Sequence, residues 1–361
     1  MKILFIAPIP PPMDGQSKAS KVLLEALIHD HEVSVINLSK SRLQKNTSLF
    51  RFFEIFRILL SVWKERKDKD IIYLSLAESF LGNMRDIAIY ILCRKYLNKT
   101  YIHMLGGEGM KNILSKDGWQ KHFNVKFMTK LAGVFVEGSM NYNVFMQAIA
   151  EEKIHIVPNF AEDFLFVEDD EIKRKFNNIK PINILYLSNL IFGKGYDELV
   201  DAYLSLSKVD QKEININFVG GFDNKENKND FFEKIKDNHN LNYLGEFVDG
   251  EEKKKIYAMS HVFCLPTYYP FEGQPISILE SYASGCVVVT TDHSGIPFIF
   301  KNIENGFLVE KKSILSLKNA VKQIISNKDN LSQVAIHNKD EALKKYRRSI
   351  YQEKILQVLL K

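Results

Sequence analysis

Short apolar runs recur along the whole chain, each closed by a polar or glycine-bearing break and followed by apolar positions at helical spacing. The first run, 3–7, is wholly apolar, which suits a strand buried on both faces of a sheet. A loop rich in proline and glycine follows at 8–15, and then a helical pattern over 17–29. Further strands are predicted at 32–38, at 70–76 after a long helical segment, at 100–105 and at 133–137. Strands that alternate with helices predict a doubly wound parallel sheet.

The series then restarts. An apolar run at 154–157 leads into Pro158 and Asn159, an acidic stretch follows at 162–171, and a fresh strand is predicted at 182–188. Runs at 214–219, 241–244, 261–265, 286–290 and 306–309 continue it, with helical stretches between. The expected fold is therefore α/β, with two Rossmann-like domains, 1–165 and 166–340, facing each other across a cleft where the carboxyl ends of both sheets would meet a ligand. A last helical stretch, 341–360, is open to packing anywhere, including back on the first domain.

Length and composition agree with this division. The 361 residues are 45% hydrophobic and 26% charged, enough for two ordinary cores at roughly 150 residues per domain. Cys93, Cys264 and Cys286 each sit in an apolar stretch, with neither a disulfide framework nor zinc spacing, so they read as core thiols of a reducing compartment. No apolar run approaches the roughly 18 residues of a membrane span, and the run at 3–7 is too short for a signal peptide, so a cytoplasmic protein is expected. Net charge is +5, and residues 1–165, with 22 Lys+Arg against 17 Asp+Glu, carry all of the excess. That is too little to argue for nucleic acid.

The most informative stretch is 266–286. It begins where the strand at 261–265 ends, passes through a loop with Pro266, Pro270 and Gly273, and reaches Pro275, whose fixed φ and missing N–H suit the start of a helix. Gly273, Gln274, Pro275 and Ile276 then bracket a helix terminus whose unpaired amides and positive dipole end can take phosphate oxygens. Glu272 stands just before this helix and can reach the part of a ligand beyond the phosphates. Glu280, eight positions on, can accept both vicinal hydroxyls of a ribose.

Several spaced segments resemble glycosyltransferase family 4. They are Glu272-x7-Glu280, the run Ala283-Ser284-Gly285-Cys286-Val287-Val288-Val289-Thr290-Thr291, the turn Ser294-Gly295-Ile296-Pro297, and Asn305-Gly306-Phe307-Leu308-Val309. In the first domain the likeness rests on the opening strand with Gly15, on Gly106-Gly107 and on Pro158-Asn159. The resemblance implies a GT-B fold and a retaining transfer of sugar from a nucleoside diphosphate, UDP or GDP, to a carbohydrate hydroxyl. No metal or other cofactor is implied. The donor's own phosphate helps deprotonate the incoming hydroxyl, so no protein nucleophile is required.

Residue by residue, the resemblance makes Lys194, in the segment 188–195 with Ser188 and Asn189, the cation that neutralises the donor diphosphate. A fixed cation beside a helix terminus stabilises that leaving group. Asn189 lies where many relatives have an arginine, which leaves more of the task to Lys194. Glu272 positions the sugar and Glu280 the ribose. Gly15 matches one of two loop glycines, Asp14 taking the other place. Leu105 stands where relatives have a histidine, and His103, two positions earlier on the same strand face, is the candidate there. His122, His155 and His293 have no partner pattern, and Tyr268 and Tyr269 read as loop packing.

One feature lies outside the resemblance. In 41–70, Leu49, Phe50, Phe52, Phe53, Ile55, Phe56, Ile58, Leu59, Leu60, Val62 and Trp63 are interleaved with Arg42, Lys45, Arg51, Arg57, Lys64, Arg66, Lys67 and Lys69. Such a helix can lie in a membrane interface with its cations near anionic lipid, or it can simply cover the sheet. With a composition rich in Lys, Asn and Ile, it suggests a bacterial polysaccharide enzyme working peripherally on a lipid-linked oligosaccharide. A sugar-nucleotide epimerase on the same fold and a catalytically silent partner of an assembly complex are the alternatives. A dehydrogenase is disfavoured, since the first strand runs into prolines rather than Gly-x-Gly-x-x-Gly.

Overall fold

The computed structural model describes residues 1–39, 48–177 and 179–361. The chain divides into two compact units, Met1–Asn159 with Ser349–Lys361, and Phe160–Arg348. In the first unit, strands β1 (Lys2–Ala7), β2 (Glu32–Asn37), β3 (Ile71–Ser75), β4 (Thr100–Met104), β5 (Gly133–Val136) and β6 (Ile154–Ile156) form one parallel sheet in the order β2-β1-β3-β4-β5-β6. β1 and β3 are interior strands with helices over both faces, and every residue from Ile3 to Ala7 is fully buried. The apolar run is the signature of that position.

The second unit repeats the plan. Strands β7 (Ile182–Leu187), β8 (Ile214–Val219), β9 (Leu241–Gly245), β10 (Val262–Leu265), β11 (Val287–Thr290) and β12 (Gly306–Leu308) run parallel in the order β12-β11-β10-β7-β8-β9. The chain winds outward from β7 in one direction and from β10 in the other, so the order reverses between these two. Crevices at the carboxyl ends of such a pair are where open α/β sheets take ligands.

Two expected boundaries move. Residues 160–165 belong to the second unit rather than the first, because the Ala161 amide donates to the Tyr346 carbonyl at 2.7 Å and Ala161 and Leu165 pack into the second core. The stretch predicted as one helix over 341–360 is two, Leu331–Lys345 and Arg348–Leu359, since the Tyr346 carbonyl is taken by Ala161 instead of continuing the helix. The second of these helices lies on the first unit, where the Tyr351 hydroxyl donates to the Ala19 carbonyl at 3.3 Å and Gln352 Nε2 to that of Val22 at 2.9 Å.

The mixed segment at 41–70 contains the helix Ser48–Glu65; Arg42 and Lys45 lie outside the described residues. Val62, Ile58 and Leu59 pack on the core of the first unit. The opposite face leaves Phe52 (69%), Phe53, Phe56, Leu60 and Trp63 (51%) exposed, with Arg57, Lys64 and Lys67 also open to solvent. Lys69 does not join them: it is buried, donates to Ser34 Oγ at 2.5 Å and pairs with Glu65 at 3.3 Å. Among the described residues, no helix is long and apolar enough to cross a membrane.

Candidate active site

The loop after β7 and the loop after β10 meet at the reversal point of the second sheet. Gly193 (φ +92°) and Gly195 (φ +79°) take left-handed conformations on either side of Lys194, which glycine enters without steric cost. The Gly193 carbonyl accepts from the Tyr268 amide at 2.7 Å, tying the two loops together. Lys194 Nζ is thereby delivered to 2.7 Å from Glu272 Oε2, and Thr267 Oγ1 donates to the same oxygen at 3.0 Å. Both partners of the pair are largely buried, with side-chain exposures of 13% and 9%. The Tyr269 ring lies 5.1 Å from the ammonium.

Two helices begin beside this pair. Ile276–Ala283 follows Pro275, and Tyr196–Leu204 follows Gly195; neither cap residue donates or accepts through a side chain at the terminus. Their first amides can serve an anion. Gly273 and Gln274 lead into the first of these helices. The Gly273 carbonyl accepts from the Gly295 amide at 3.2 Å, and a Cβ at Gly295 would fall 2.8 Å from that oxygen. Ser294 Oγ donates to the Glu272 carbonyl. The Ser294-Gly295 turn thus fixes the backbone that carries Glu272.

Glu280 is 1% exposed. It is not a solvated helix residue: Lys253 Nζ lies 2.8 Å from both of its oxygens and Tyr257 Oη 3.3 Å from Oε2. Burial, with the Glu280 charge nearby, pushes the Tyr257 phenol well above its ordinary range, so the hydroxyl keeps its hydrogen. Lys253 was not foreseen. It stands in the run Glu251-Glu252-Lys253-Lys254-Lys255, which reads as a charged surface. The available signal is that Lys253, Ile256, Tyr257 and Ser260 share one helical stripe, and all four are buried.

Ser188 and Asn189 lie at the carboxyl end of β7, Asn189 exposed, with its carbonyl 3.1 Å from Tyr186 Oη. In the first unit Gly15 is exposed at the first position of helix Gly15–Asp30, with nothing within 4 Å of an added Cβ. Asp14 caps this helix: its carboxylate accepts from the Ser17 amide at 2.7 Å while Ser17 Oγ accepts from the Asp14 amide at 2.9 Å. That charge sits where an incoming anion would otherwise meet the helix dipole.

His103 lies in the core. It is fully buried, with Nδ1 2.6 Å from Tyr73 Oη, and its ring stacks on Tyr351 and meets Phe135 edge-on. Burial pushes its pKa down to about 3, so the imidazole is neutral. Tyr351 of helix Arg348–Leu359 lies over the His103 ring and covers it. The role expected of His103 is accordingly replaced by packing.

Two doubly wound parallel sheets in one chain, the second with a lysine–carboxylate pair between two helix starts at its reversal point, define a twin Rossmann-like protein suited to a phosphorylated ligand. The pattern of the family described as glycosyl transferases group 1 matches residues 168–348, half of the chain, and the chain belongs to that family. It is 25% identical to an uncharacterised glycosyltransferase of Methanocaldococcus jannaschii over 54% of this chain and 51% of that protein. It is also 25% identical to the N,N′-diacetylbacillosaminyl-diphospho-undecaprenol alpha-1,3-N-acetylgalactosaminyltransferase of Campylobacter jejuni, over 56% of this chain and 54% of the other. The chain thus spans about half the length of these curated relatives. The crystal structure of Anabaena HepE in complex with UDP and glucose superposes with a TM-score of 0.70 at 16% identity, covering 100% of this chain and 99% of that one, which establishes a shared GT-B fold.

Proposed function

We propose that this protein is a retaining glycosyltransferase that moves a hexosyl group from a UDP- or GDP-sugar to a hydroxyl of a carbohydrate acceptor. The second unit holds the donor and the first the acceptor. One observation carries the reading: Lys194 and Glu272, far apart in sequence, meet at 2.7 Å beside two uncapped helix starts. Departure of a nucleoside diphosphate builds negative charge on its terminal phosphate, and a fixed ammonium with aligned amides stabilises that charge without a metal. Donor phosphate would take Lys194 from Glu272 or share it, leaving the Glu272 carboxylate to orient the sugar. Glu280, held within the helix whose start faces the phosphates, would accept the ribose hydroxyls.

The direct test is Glu280→Ala. The variant should lose at least about tenfold in affinity for the nucleoside diphosphate, since a hydrogen bond to a charged acceptor contributes about 1.5–3 kcal/mol. Isothermal titration with UDP and GDP reads it; wild-type affinity in the variant would remove Glu280 from the site. Turnover of the matching nucleotide sugar by the purified chain, with the anomer of the product determined, tests transfer and retention together.

We further propose that the acceptor is a lipid-linked oligosaccharide of bacterial surface polysaccharide synthesis, reached from the inner face of the cell membrane. Support comes from the diphospho-undecaprenol acceptor in the name of the Campylobacter relative and from the exposed aromatic face of Ser48–Glu65 with Arg57, Lys64 and Lys67. Vesicles containing anionic lipid should carry the protein upward in a flotation gradient, and zwitterionic vesicles should not. Replacing Phe52, Phe56 and Trp63 together by Ser should abolish flotation; equal recovery of this variant would exclude the helix as the contact.

A further inference from the structure

We infer that Lys253 is a positioning residue for donor recognition, fixing the carboxylate of Glu280 so that it discriminates a ribose diol. The inference rests on the nucleotide reading of Glu280 given above. Its physical basis is the cost of the arrangement. Lys253 is only 7% exposed and sits on the inward stripe of helix Gly250–Met259, where Ile256 and Tyr257 are also buried. Taking an ammonium and a carboxylate out of water is unfavourable, and exchanging such a pair for packed apolar side chains is often neutral or stabilising. Stability alone therefore gives little reason for the pair.

Orientation gives a better one. One ammonium 2.8 Å from both oxygens fixes where the carboxylate points, and Tyr257 Oη, 3.3 Å from Oε2 alone and 3.2 Å from the Ser277 carbonyl, distinguishes the two oxygens and so limits rotation of the group. A carboxylate paired with an ammonium accepts hydrogen bonds without donating any. Glu280 lies four residues into the helix that starts at Ile276, about 6 Å along its axis from the first amide. That step is comparable to the one from a nucleotide phosphate to its ribose hydroxyls.

The full chain should be titrated with UDP, GDP and their 2′-deoxy counterparts. The wild type is expected to bind one ribonucleotide at least about tenfold more tightly than its deoxy form. In Lys253→Met, ribonucleotide affinity should fall about 30-fold, deoxynucleotide affinity should fall far less, and the preference between them should shrink to within about twofold. Lys253→Arg keeps the pair but holds the carboxylate through a wider fork, so it should lose about threefold for the ribonucleotide alone. This variant decides the matter if the methionine variant does not fold. Unchanged preference in these variants, or equal weakening toward ribo and deoxy forms, would overturn the inference while leaving the nucleotide reading intact. A wild type that binds none of the four would instead bring down the nucleotide reading, and the inference with it.

Discussion

Lys194→Ala should lower kcat/KM for sugar transfer about 10³-fold, the upper end of what one preorganised electrostatic group contributes. Lys194 is the cation that the two loops converge to hold, and Asn189 stands where a second positive charge would be expected. The variant should also be less stable. Removing one partner of a largely buried pair leaves the other charge uncompensated, at a cost of about 3 kcal/mol, and Thr267 would remain as a neutral donor to Glu272. These two consequences can be separated. Lys194→Ala combined with Glu272→Gln removes the stranded charge, so thermal unfolding should return toward the wild-type midpoint while the rate of nucleotide release stays at the level of Lys194→Ala or below. A double variant that regains both stability and turnover would mean that Lys194 serves only to neutralise Glu272.

Much of the fold is legible in the sequence because interior parallel strands bury both faces and so carry mostly apolar runs. The runs around Ile3–Ile6 and Val287–Val289 announce themselves for that reason. The motif segments are legible as well, yet their physical roles divide. Gly306 has φ +146°, and a Cβ there would fall 1.9 Å from the Val288 carbonyl oxygen; Asn305 binds Asn338, whose amide in turn holds the Cys286 carbonyl at 2.8 Å. Those two motif residues build the sheet edge, whereas Glu272 precedes a helix start, Glu280 lies a turn inside that helix, and both carry ion pairs. What stayed hidden depends on contacts distant in sequence. No local pattern says that helix Arg348–Leu359 will seal His103 into the core, or that one lysine of a charged run will turn inward to Glu280.

Gly195→Ala should damage both the stability of the second unit and its activity. Gly195 has φ +79° and ψ 11°, a left-handed conformation that costs a residue with a side chain roughly 1–2 kcal/mol. An added Cβ would lie 2.4 Å from the Pro266 carbonyl oxygen and 2.8 Å from its carbon, both backbone atoms at the end of β10, so a side-chain rotation cannot relieve the overlap. The loops after β7 and β10 must therefore separate. With a further backbone shift included, a loss of about 3 kcal/mol corresponds to a fall in Tm of roughly 6–12 °C for a unit of this size. Activity should suffer beyond the folded fraction, because Lys194 is the adjacent residue and a displacement of about 1 Å at a positioned group can cost 10²-fold. Gly15→Ala is the control for stability: nothing lies within 4 Å of its added carbon, so its Tm should stay at the wild-type value. Scanning calorimetry together with initial rates below the transition reads both effects. A Gly195→Ala protein with wild-type Tm and rate would mean that the two loops are not held against each other as described, and the pairing of Lys194 with Glu272 would lose its structural cause.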